Sequence, residues 1–199
     1  MVSMSQNISL RSISFDTSFL LKDKSEIDEC IKLIAKDGIP TFLTTTVLSE
    51  LEQLKVWGRV TEKQYKKAIY RWKKTHGKII DFKNRLLSDA FARECMVSMK
   101  QHHGVSKENI ANDCSILIST LKNGVDVFLS EDFHFTSKIT QYVIDEVTHA
   151  ACTEFHQMCD SGLYAINSET FLLSYGQGKM DIDRIESLMK NVRKSEKKL

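Results

Sequence analysis

Apolar positions along the chain recur in two rhythms, and their alternation outlines a fold. In SEIDECIKLIAKDG (25–38), Ile27, Cys30, Ile31 and Ile34 repeat at helical spacing and Gly38 supplies a stop. LRSISFD (10–16) reads as a short strand closing on Asp16. After Pro40, TFLTTTV is rich in β-branched residues and reads as a second strand, followed by a helix over VLSELEQLKVW (47–57). A long, mostly helical stretch covers 61–103, with KIIDF as a short interruption. KENIANDCSILISTLKNG (107–124) is an amphipathic helix ended by Asn123–Gly124, and VDVFLS (125–130) is a third strand. The helix SKITQYVIDEVTHAACTEFHQM, a fourth strand LYAIN (163–167) and the helix SETFLLSY, with Ser168 as its cap, complete the pattern. Beyond Gly178 the chain is charged, and Ile182, Ile185 and Leu188 sketch one more amphipathic helix.

Strands alternating with helices predict an α/β fold, a central parallel sheet with helices on both faces. The expected organisation is one domain over 1–178, with a mostly helical insertion at 56–104, and a charged tail over 179–199. In such sheets function collects at the carboxyl ends of the strands. Asp16 and Asp132 leave strands, Glu50 opens the helix after the second, and Asp113 lies near the start of the helix that feeds the third. Each acid alone reads as a solvated loop or helix-start residue, favoured there by the helix dipole. Together they would repel: at an effective dielectric of about 20, each like-charged pair about 4 Å apart costs on the order of 4 kcal/mol. A divalent cation removes that penalty, and hard carboxylate oxygens suit Mg²⁺ or Mn²⁺.

The net charge of +2 over 199 residues hides a strong asymmetry. Between Lys55 and Arg85 stand eleven Lys or Arg and two acids, a local +9, while 17 basic and 24 acidic residues leave −7 elsewhere. Lys63, Lys66, Lys67, Arg71, Lys73 and Lys74 are candidates for phosphate contacts, because cations release counterions from a nucleic-acid backbone. Trp57, Tyr65, Tyr70, Trp72 and Phe82 are interleaved with them and could stack bases. The bland alternative puts Tyr65, Ile69 and Trp72 in a core stripe with the lysines merely solvated. Five cysteines without CxxC spacing suit reduced thiols and a cytoplasmic location. The opening MVSMSQN has no signal-peptide pattern, and no apolar run approaches the length of a membrane span.

FDTSFLL, LSELEQL and NDCSILISTLKNGVDVFLSEDFHF together resemble the PIN-domain nucleases. The resemblance covers about 1–55 and 105–175, and it implies a three-layer α/β/α sandwich and metal-dependent hydrolysis of single-stranded RNA. It assigns Asp16, Glu50, Asp113 and Asp132 as catalytic metal ligands, with Ser130 and Ser18 supporting them from behind, and it places Phe135 at the family's trailing aromatic. Glu52 competes with Glu50, since residues two apart on a helix face different ways. The 56–104 stretch exceeds that of the compact toxin members, so a toxin assignment does not follow. A homodimer and an antitoxin-like protein partner stay open, as does a catalytically silent PIN-like RNA-binding or assembly module. A receiver-like domain fits less well, lacking paired acids at the first strand and a lysine at LYAIN. His149, Cys152, His156 and Cys159 span about 15 Å of helix, too far for one zinc, and read as a buried stripe. Glu131 reads as a solvated neighbour or part of the site's rim.

Overall fold

The computed structural model describes residues 7–103 and 107–196. Its elements run in chain order β1 (Asn7–Ser9), β2 (Ile13–Phe15), α1 (Thr17–Leu21), α2 (Ser25–Lys36), β3 (Thr41–Thr44), α3 (Thr45–Val56) and α4 (Glu62–Lys74). β4 (Lys78–Ile80), α5 (Arg85–His103), α6 (Lys107–Lys122), β5 (Val127–Leu129), α7 (Phe133–Thr136) and α8 (Lys138–Phe155) follow. The chain ends with β6 (Tyr164–Ile166), α9 (Ser168–Ser174), β7 (Tyr175–Gly176), β8 (Lys179–Asp181) and α10 (Ile182–Glu196).

Five strands form one sheet in the order β4-β3-β2-β5-β6, and every pairing is parallel. The chain steps outward from β2 to β4, then returns to lay β5 on the other side of β2. That reversal makes the gap between β2 and β5 the switch point of the sheet, where ligands of open α/β folds bind. Two groups of helices pack among themselves: α5 with α6 and α8, and α2 with α4, α9 and, through α9, α10. This α/β architecture, with helices flanking a parallel sheet, is the class expected from the alternation. Strand interiors ISF and VFL are buried on both faces, as a sheet covered on both sides requires. Ile27, Cys30, Ile31 and Ile34 of α2 are all buried, each aliphatic worth about 1.5–3 kcal/mol of transfer energy.

Several local expectations are corrected. β3 stops at Thr44, because the Thr44 hydroxyl accepts from Val47 N–H at 3.2 Å and starts α3 there. The KII of KIIDF is a true edge strand, β4, so the insertion contributes to the sheet itself. Asn167, not Ser168, caps α9, its side chain accepting from Thr170 N–H at 2.8 Å. The segment from Lys179 adds a strand ahead of the expected amphipathic helix: β8 pairs antiparallel with β1 and β7 in a second sheet, and Met180, Ile182, Ile185 and Met189 are buried. His149, His156 and Cys159 are exposed and form no buried stripe: His149 lies off the buried face of α8, and α8 ends at Phe155 with His156 in the left-handed conformation at φ 51°. The reduced-thiol expectation fails as well. Cys95 is disulfide-bonded to Cys114 and Cys152 to Cys159, and Cys30 alone is free.

Candidate carboxylate site at the sheet edge

The carboxyl ends of β2 and β5 lie side by side, tied by the Asp16 N–H to Leu129 carbonyl bond of 2.9 Å. Asp16 ends β2 and caps α1. Its side chain accepts from Ser18 N–H at 3.1 Å, from the Ser18 hydroxyl and, at 2.8 Å, from the Ser130 hydroxyl. Both serines spend their protons on the same Asp16 oxygen, so their 3.1 Å contact with each other is proximity, not a bond. Their oxygens accept in turn from the next strand exit, Ser18 from Glu131 N–H at 2.9 Å and Ser130 from Asp132 N–H at 3.0 Å. This lattice fixes Asp16 relative to Asp132. Burial nevertheless raises the Asp16 carboxyl above its ordinary value, the serine bonds only partly offsetting it.

Glu50 comes from the second turn of α3. The Thr17 hydroxyl donates to it at 2.7 Å and the Asn112 amide at 2.9 Å. Those contacts place Glu50 against the Asp16 loop, whereas Glu52 is exposed. Asp132 caps α7, accepting from His134 N–H at 2.9 Å. Phe135 anchors that short helix edge-to-face on Phe128, with centroids 5.0 Å apart.

Asp113 differs from the other three. It is half-buried on α6, and among the described residues no hydrogen bond supports its carboxylate. Burial first, then the charges of Asp16, Asp132 and Glu50, push it up to about 7. The four acids therefore share one electrostatic field. They do not share a coordination sphere: among the described residues, no three His, Cys, Asp or Glu side chains are gathered closely enough to hold a metal ion. The lone Asp113 carboxylate, facing three more acids across all-oxygen chemistry, fits a hard divalent cation.

Glu131, the neighbour of Asp132, belongs to no rim. It is buried, paired with the Lys24 ammonium, and it accepts from Ser168 N–H at 2.9 Å and the Ser168 hydroxyl at 2.5 Å. Burial alone would raise its carboxyl, but the Lys24 and Ser168 donors prevail and lower it. Lys22 also donates to the Glu131 carbonyl at 2.7 Å.

The basic candidates separate. Arg71 is 2% exposed and faces inward, donating to the Leu20 and Lys22 carbonyls at 2.7 Å each and to Asp28 at 2.9 Å. It closes the carboxyl end of α1 and has no reach to a phosphate, which corrects its place among the substrate contacts. Lys67 bridges Asp23 and Asp28, and Lys66 pairs with Glu62. Lys63, Lys73 and Lys74 stand in solvent. Phe82 is buried, Tyr65 and Trp72 pack on the core, and Trp57 and Tyr70 are exposed. Thr17 and Asn112 are site residues that sequence patterning passed over. Each sits beside an acid of the set, and adjacency was the available signal.

The sequence matches no protein-family model and no curated protein. No helix among the described residues is long and apolar enough to cross a membrane.

Proposed function

We propose that this protein is a PIN-like, divalent-metal-dependent endoribonuclease acting on single-stranded RNA. What supports the reading most is the unpartnered Asp113 carboxylate, set among three other acids at the switch point of a parallel sheet. Asp16, Glu50, Asp113 and Asp132 would hold Mg²⁺ or Mn²⁺. The ion would lower the pKa of water and offset charge developing on the phosphate. Asp113 would have to give up its proton to hold the ion, so affinity would rise as pH climbs through about 7. Ser18 and Ser130 hold the Asp16 carboxylate in place, and Thr17 and Asn112 hold that of Glu50. Glu50 then orients the attacking water. Exposed Lys63, Lys66, Lys73 and Lys74 supply long-range attraction for the strand.

A second reading has an observation in its favour: the carboxylates are not gathered to ligand spacing. A PIN-like module that binds RNA without cutting it would look the same. Incubation of labelled unstructured RNA with Mg²⁺ or Mn²⁺ separates the two. Wild type should cut, and Asp16→Asn and Asp132→Asn should each lose about a hundredfold or more of that activity. RNA binding with no metal-dependent cutting would transfer the assignment to the silent module.

A further inference from the structure

Two contiguous hollows of about 330 and 300 Å³ open beside Glu50 and share it with Gln53 and Asn112. The second ends at Leu54 and Trp57. Glu50, Gln53, Leu54 and Trp57 fall at i, i+3, i+4 and i+7, so one stripe of α3 forms the wall. The stripe runs about 10.5 Å from the acid to the indole. Trp57 is 62% exposed although it is among the largest apolar side chains of the protein. The Arg59 guanidinium stands 5.3 Å from its ring centre.

The composition changes along the groove in a telling order. At one end is a carboxylate of the metal-binding set. In the middle are two carboxamides, which present donors and acceptors suited to base edges. At the far end are an exposed indole and the Arg59 cation lying over its ring. Tyr70, the other exposed ring of the basic region, lines a separate hollow with Asp28, Lys67 and Arg71, whose charges already neutralise one another. The Trp57 groove, by contrast, reaches Glu50 of the acidic set.

We propose that this α3 groove seats an unpaired base next to the scissile bond of the RNA, with Trp57 as its stacking platform and Arg59 holding the adjoining phosphate. The assignment rests on the nuclease reading of the carboxylate site and names how its substrate is held. It also requires a preference for single strands, since a base within a duplex cannot reach the indole face.

The test is equilibrium binding, which needs no turnover. A short single-stranded oligonucleotide with hydrolysis-resistant linkages is titrated, in Mg²⁺, into the full chain and its Trp57→Ala and Trp57→Phe variants. An abasic oligonucleotide of the same length serves as control. Trp57→Ala should weaken binding from about fivefold to about a hundredfold, the range for loss of one stacked base. Trp57→Phe should restore most of it, and the abasic strand should bind all three proteins alike. Trp57 is exposed, so neither substitution threatens the core. Equal binding by wild type and Trp57→Ala, or no preference of wild type for bases over the abasic strand, would overturn the groove assignment. Trp57-dependent binding by a protein that cuts no RNA would uphold the groove and remove the nuclease reading instead.

Discussion

Glu131 and Asp113 are both carboxylates withdrawn from water near the same sheet edge, and their fates are opposite. Around Glu131 the protein supplies an ammonium, a hydroxyl and a helix-start N–H, and the carboxyl falls below its ordinary value. Around Asp113 it supplies three more acids and, among the described residues, no donor, and the carboxyl rises to about 7. The first charge is answered from within and joins β5 to α9. The second is the charge that, on the proposed reading, a bound cation would answer. Two anions in sequence at the end of FLSED thus serve different ends: Glu131 builds the frame, and Asp132 faces the acids.

The sharpest way to break this contrast is to neutralise each acid in turn without metal. Asp113→Asn should stabilise the protein above neutral pH. The rise from 3.8 to about 7 bounds the gain at about 4 kcal/mol, and solvent screening of a half-buried group reduces it. Glu131→Gln should destabilise by about 1.5–3 kcal/mol, the range for bonds to a charged group. Denaturant midpoints measure both, and the same sign for the two variants would end the distinction. A smaller effect is the pH profile of the wild type. A carboxyl raised in the folded state stabilises it at low pH, so Asp113 should make metal-free stability fall between about pH 4 and about pH 7. Glu131 acts in the other sense: its contribution is present above its ordinary 4.5 and is lost as pH drops through its lowered value. Thermal unfolding across pH in Asp113→Asn should remove the first slope and keep the second.

Much of this frame was legible because it is local. The helical stripe of α2, the apolar VFL of β5 and the acids at element ends are read within a few residues of themselves. What escaped depends on partners far along the chain. Arg71 resembles its basic neighbours until the Leu20 and Lys22 carbonyls, some fifty positions away, are brought beside it. Glu131 looks solvated until Lys24 and Ser168 arrive from two other elements. The β1-β8-β7 sheet joins the two ends of the described chain through strands of two or three residues, too short to show a period. At Thr44 a cap won over β-propensity, and a short pattern records only the loser.

The most direct test of the claim that these acids await a cation is Mn²⁺ titration followed by thermal unfolding above neutral pH. Wild type should gain stability with each increment of metal, as binding to the folded state alone requires. Asp113→Asn, already relieved of its repulsion, should start higher and gain little. A wild type indifferent to Mn²⁺, or an Asp113→Asn variant that gains as much as wild type, would contradict the assignment of the site.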